Sequence, residues 1–254
     1  MSQKPDPHIS AEVKINLTIL VLGAMVMILN ETALSVALPT IMADFGIPAT
    51  SAQWLLTGFL LTMGVVIPTT GFLMDKFTTR QIFLASSGVF LAGTVLAALA
   101  PTFGVLLVGR VFQAAGTALM IPTLMTVAMT LVPPQRRGSV MGIISVVISV
   151  APALGPTVGG FVLSMSSWHV IFWTMVPLLG LICAAGYFRL VNVGDKRDTP
   201  LDFPSVVLSV IAFGGLVYAV SSLENMLEGD GLVDIVVLIV GLVALALFTR
   251  RQLR

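Results

Sequence analysis

The chain has 254 residues, 57% of them hydrophobic and only 10% charged, against roughly 25% charged in an average soluble domain. Its 13 Lys and Arg and 12 Asp and Glu are too few to clothe a soluble protein of this length, and its mean hydropathy is +1.03. That composition excludes a soluble enzyme, and a net charge of +1 offers no basic field for a nucleic-acid partner.

A membrane-spanning helix needs about 20 mostly apolar residues. Eight such runs follow in chain order, at 16–38, 52–74, 82–100, 104–131, 138–164, 169–191, 204–222 and 232–249. The first has too long an apolar core for a cleavable leader peptide, and it carries Asn30 and Glu31. The short connectors predict an all-α polytopic membrane bundle with no soluble domain.

Twelve of the 13 Lys and Arg fall on alternate connectors. Lys4 and Lys14 precede the first span, Lys76 and Arg80 follow the second, and Arg136 and Arg137 follow the fourth. Arg189, Lys196 and Arg197 follow the sixth, and Arg250, Arg251 and Arg254 end the chain. The opposite connectors hold Asp44 and the acids Glu224, Glu228, Asp230 and Asp234. By the positive-inside rule both termini are expected in the cytoplasm.

Two ionisable groups remain deep in apolar runs, Glu31 in the first and Arg110 in the fourth. Charges inside a membrane cost several kcal/mol unless paired or hydrated, and they mark transport paths. Glu31 lies about 12 Å inside the outer edge of its span and Arg110 about 9 Å, at 1.5 Å per residue. Matching depths predict a buried pair, with Asn30 and Gln113 able to hydrogen-bond in the same cluster. A structural clasp and a proton-binding transport site both fit that pattern. One cysteine, Cys183, and two histidines, His8 and His169, cannot build a metal centre, so no metal and no cofactor are expected. Those histidines fall on opposite sides of the bilayer in this topology, and no enzyme activity is expected.

The fifth span concentrates Gly142, Ala151, Pro152, Gly155, Pro156, Gly159 and Gly160. Small residues four apart let helix backbones touch in lipid, and proline bends a helix. At the end of the second span, Gly71 is followed by Asp75 and Lys76, with Arg80 just beyond. A solvated loop and a gating charge network are both open readings of that group.

These motifs together resemble the major facilitator superfamily, in its fourteen-span branch of drug:proton antiporters of the lincomycin- and multidrug-efflux type. Leu29-Asn30-Glu31-Thr32 followed by Ala37-Leu38-Pro39 is similar to that branch's first-helix motif, with the acid one place later than usual. Gly71 to Asp75-Lys76 with Arg80 resembles the loop motif after helix two, although Thr78 and Thr79 stand in its glycine and basic positions. Leu106 to Gly116, with Arg110 and Gln113, resembles the fourth-helix motif, with Ala114 in place of a glycine. Gly142, Gly155-Pro156 and Gly159-Gly160 are similar to the fifth-helix antiporter motif, with Ala151 in a glycine slot. Trp168-His169 resembles the start of the sixth helix, where arginine is commoner than His169.

The resemblance implies a tail at 1–15 and an N-terminal six-helix bundle of two inverted three-helix repeats at 16–191. It further implies a cytoplasmic linker at 192–203, and two added transmembrane helices with a basic end at 204–254. The implied activity is proton-coupled efflux of small amphipathic drugs or antibiotics across the plasma membrane by alternating access. Met63, Met120 and Met125 are candidates for the substrate wall. The partners would be the drug, the proton, membrane lipid and a second six-helix bundle, in the same full-length protein or on a partner chain. Two alternatives stand beside this reading: a symporter or facilitator for a small nutrient, and a non-transporting membrane remnant.

Overall fold

The computed structural model describes residues 9–192, 203–221 and 232–252. The linker expected at 192–203 and the acids Glu224, Glu228 and Asp230 lie almost wholly outside these residues. Eight helices follow in order: α1 (Ala11–Phe45), α2 (Ala49–Lys76), α3 (Thr79–Ala98), α4 (Phe103–Leu131), α5 (Pro134–Met165), α6 (His169–Arg189), α7 (Phe203–Ser221) and α8 (Leu232–Gln252). Seven of them are long and apolar enough to cross a bilayer, while the apolar stretch of α7 at Val207–Val220 is shorter than the span expected there.

Local chemistry sets the helix ends. Ser10 caps α1 by accepting from the Val13 N–H, and Thr78 and Gln81 form a reciprocal capping box at the start of α3. Thr102 caps α4, and Pro134 opens α5 at a position where a missing N–H costs nothing. The first helix runs well past the apolar limit at residue 38, straight through Pro39, and stops at Gly46. Gly46 adopts the left-handed conformation (φ 62°) and donates its N–H to the Met42 carbonyl.

Connectors of two to four residues turn each of the first six helices back on its predecessor. The packing partners are α1 with α5 and α2 with α4, α3 with α4 and α1 with α6, together with α1 with α4 and α3 with α6. This set maps onto itself when 1, 2 and 3 are exchanged with 4, 5 and 6, which is the signature of two three-helix repeats. Helices α7 and α8 pack on each other and reach the bundle through α2.

Two apolar clusters fill the bundle. One, towards the end carrying Lys14, Arg80 and Arg136, gathers Leu20, Met27, Phe83, Phe90, Leu124 and Leu179. The other, towards the opposite end, gathers Leu34, Ile41, Leu55, Leu106, Trp168 and Phe172. Between them lies a band of fully buried polar side chains: Asn30, Thr94, Arg110 and Gln113.

Candidate functional site

The band is built chiefly on α4. Arg110 and Gln113 are three residues apart and so share a helix face. The Arg110 Nη1 donates to Gln113 Oε1 at 2.9 Å, and its Nε donates to the Leu55 carbonyl of α2 at 3.4 Å. The guanidinium lies 4.3 Å from the centre of the Phe59 ring. Gln113 Nε2 donates to Thr94 Oγ1 of α3 at 2.9 Å, and Thr94 in turn donates to the Phe90 carbonyl. One chain of bonds thus joins α2, α4 and α3 around a fully buried guanidinium. Within this chain of bonds, Arg110 Nη2 has no hydrogen-bond partner.

Glycines make room for this chain. A Cβ at Gly93 would stand 2.6 Å from the Gly109 carbonyl oxygen, and one at Gly116 would stand 2.7 Å from the Ser86 carbonyl oxygen. Ser86 Oγ donates across the same contact to the Gly116 carbonyl at 2.7 Å.

On α1, Asn30 is fully buried, and neither its Oδ1 nor its Nδ2 has a hydrogen-bond partner. Such atoms cost about 1–3 kcal/mol each and call for an explanation. Glu31, the next residue, is half-buried. The direct Glu31–Arg110 pair expected from matching depths is not formed: no ion pair joins them, and the guanidinium is engaged by Leu55, Gln113 and Phe59 instead. Successive residues on a helix point about 100° apart. Asn30 takes the fully buried direction and turns Glu31 aside. Arg110 remains the charge that acts on Glu31 across the gap.

The glycine-rich helix α5 meets α1 at this level. A Cβ on Gly155 would overlap Thr32 Oγ1 and stand 2.7 Å from Thr32 Cβ, and one on Gly159 would stand 2.6 Å from the Ala33 carbonyl oxygen. Gly142 and Gly160 meet nothing within 4 Å, and Pro156 is exposed. Two of the expected packing glycines therefore form the α1–α5 contact, and two face open space.

The second-span group is divided by the fold. Gly71 and Asp75 line an open cleft of about 540 Å³ with Phe72, Met74, Thr126 and Phe248 of α8, and Lys76 is exposed. Arg80 turns elsewhere. Its Nη2 donates to the Tyr187 carbonyl, its backbone N–H donates to Asn192 Oδ1 at 3.2 Å, and its guanidinium lies over the Tyr187 ring. Asn16 joins the same end of α6, donating to the Val191 carbonyl and accepting from the Val191 N–H.

At the opposite end, the fully buried Trp168 donates from Nε1 to Asp44 Oδ2 at 3.0 Å and stacks on His169 with ring centres 3.5 Å apart. Sequence reasoning missed the Asn16 and Asp44 contacts. Each joins residues more than 120 apart in the chain, and neither carries a local signal. Of the methionines, Met120 is fully buried against Gly23 and serves the core, whereas Met63 and Met125 are half-buried.

Comparison with known proteins agrees with this architecture. The family model described as Major Facilitator Superfamily matches residues 20–251. The chain is 44% identical to the uncharacterized MFS-type transporter YcnB of Bacillus subtilis over 93% of its own length and 50% of the relative. It is 43% identical to the lincomycin resistance protein LmrB of the same organism, over 92% of this chain and 49% of that protein. It thus spans about half the length of the curated relatives it matches. Among solved structures, the human organic anion transporter MFSD10 superposes with a TM-score of 0.65 at 16% identity, covering 84% of this chain and 56% of that one. A peptide transporter POT gives the same TM-score at 17% identity, covering 84% of this chain and 46% of that one. At such identities the likeness is one of fold. With the family match running across nearly the whole chain, this multi-pass protein of the cell membrane belongs to the Major Facilitator Superfamily.

Proposed function

We propose that the chain acts as the N-terminal half of a drug:proton antiporter, exporting small amphipathic compounds by alternating access. The observation that carries this reading is the buried polar band. A guanidinium lies in the middle of the apolar bundle, an adjacent helix presents a buried amide with no partner, and a half-open carboxylate sits beside that amide. A satisfied structural clasp would leave none of these atoms idle. Lincomycin resistance in the name of a relative at 43% identity supports efflux as the direction of transport.

In this reading Glu31 takes up and releases the proton, and the fixed positive charge of Arg110 favours its release when the site opens to the low-proton side. Asn30 holds substrate or ordered water, and Gln113 fixes the guanidinium. Gly71, Asp75 and Lys76 form the cytoplasmic gate with Arg80 at its margin. Gly155 and Gly159 give α5 its contact with α1, while Gly142, Pro156 and Gly160 serve helix surfaces outside that contact. Residues 1–15 form a cytoplasmic tail, 16–191 the transporting bundle, 192–203 a cytoplasmic linker, and 204–254 an added helix pair, with both termini inside. A second six-helix bundle completes the path.

The test is export driven by an imposed pH gradient in inverted vesicles that carry this chain together with a complementary six-helix half. Glu31→Gln is expected to abolish proton-dependent export. Normal coupled export by that variant removes Glu31 from the mechanism.

A further inference from the structure

The contact between α1 and α5 lies at the residue that follows Glu31. Thr32 turns its hydroxyl back onto its own helix, donating to the Ile28 carbonyl at 3.1 Å and to the Leu29 carbonyl at 3.3 Å. A threonine bonded in this way is locked in rotamer and tends to bend its helix. Gly155 is seated directly against it, with no room for even one methyl group, and one turn further on Gly159 is seated against the Ala33 carbonyl. Closely packed helices answer such an insertion by parting or by forcing a rotamer change, because neither surface is compressible.

We propose that Thr32 is a positioning residue for Glu31, held by Gly155, so that the approach of α5 to α1 sets how far the Glu31 carboxylate is open to water. Glu31 is half-buried, whereas its neighbours Asn30 and Ala33 are fully buried, so a small rotation or parting at Thr32 changes its exposure more than theirs. On the other helices packed against α1, Arg110 of α4 is the charge acting on Glu31. The charged residues of α2 and α3, Asp75, Lys76 and Arg80, and those of α5 and α6, Arg136, Arg137, His169 and Arg189, stand at the helix ends. Opening α5 away from α1 would therefore wet the carboxylate without bringing a new charge to it. This assigns the glycines of α5 a role on the proton site itself. It rests on the proposed role of Glu31 only for its consequence in transport.

Labelling by dicyclohexylcarbodiimide, which forms an N-acylurea with protonated carboxyl groups in apolar surroundings, reads the contact without requiring transport. The whole chain is reconstituted in lipid vesicles and held at neutral pH, and the peptide containing Glu31 is weighed. Gly155→Ala is expected to let water reach Glu31, keep it ionised and lower its labelling about tenfold, the change that one unit of pH would bring. Gly142→Ala and Gly160→Ala add the same methyl to open space and should leave labelling unchanged. Thr32→Gly combined with Gly155→Ala moves the bulk from one helix to the other and should restore it. Unchanged labelling in Gly155→Ala, or an equal fall in Gly142→Ala, overturns the proposal. Should Gly155→Ala fail to accumulate, Thr32→Gly alone loosens the same contact and must lower labelling, and wild-type labelling there also overturns it. Normal coupled export by Glu31→Gln would sink the proposed function while leaving this contrast intact.

Discussion

Two helix crossings in this bundle are built from glycine, yet they are finished differently. Where α3 meets α4, Gly93, Gly109 and Gly116 bring the backbones together, and side chains then bond across the seam, Ser86 to the Gly116 carbonyl and Gln113 to Thr94. Where α1 meets α5, Gly155 and Gly159 give an equally close approach, but the hydroxyl at the contact serves its own helix. In lipid, interhelical hydrogen bonds add to the van der Waals packing that small residues allow, and the α1–α5 contact has that packing while the Thr32 hydroxyl bonds within its own helix. The first crossing reads as a fixed mount for Arg110. The second is a close-packed contact beside Glu31, made by glycine against backbone and a threonine side chain.

The sharpest way to break that contrast is to destroy the fixed mount. Gly93→Leu drives a side chain into the Gly109 carbonyl and is expected to cost more than about 4 kcal/mol, beyond ordinary substitutions. The measure is the fraction of folded, monodisperse chain recovered from membranes, and wild-type recovery would mean the seam is not rigid. A milder probe is Gln113→Leu, which keeps the volume but cuts the link from Arg110 to Thr94. A loss of about 1–2 kcal/mol in unfolding by denaturing detergent is expected, and no change would show that the bond chain adds nothing. Smallest should be Asp44→Ala, which strips the Trp168 indole of its acceptor at the far end of the bundle. Because Asp44 is itself exposed, water can take the place of its carboxylate, and less than about 1 kcal/mol should be lost, with a shift in tryptophan emission as the sign that the bond existed.

The helices themselves were legible because water-to-lipid transfer leaves a long, unbroken signal, and the deep polar residues stood out against it. Azimuth was not legible. In a membrane helix the face turned to protein and the face turned to lipid are both apolar, so no periodic pattern says where Glu31 points. Depth alone predicted that Glu31 and Arg110 would touch, and the turn of 100° between Asn30 and Glu31 defeats that inference. Arg80 shows the same limit at the bundle's edge. Its neighbours in sequence are Asp75 and Lys76, but its partners are Tyr187 of α6 and Asn192 just beyond that helix, more than 100 residues on. The glycines of α5 were recognisable as a group, and only the position of α1 separates the two that touch it from the two that do not.

The helix pair α7–α8 leans on α2 through matched notches, Gly64 against Val217 and Gly214 against Val65. Such interlocking couples the tilt of the pair to the tilt of α2. A spectroscopic label on the exposed side of α8, at Val236 or Val243, for instance, would ride on that lever and report any change in the tilt of α2 from outside the six-helix bundle.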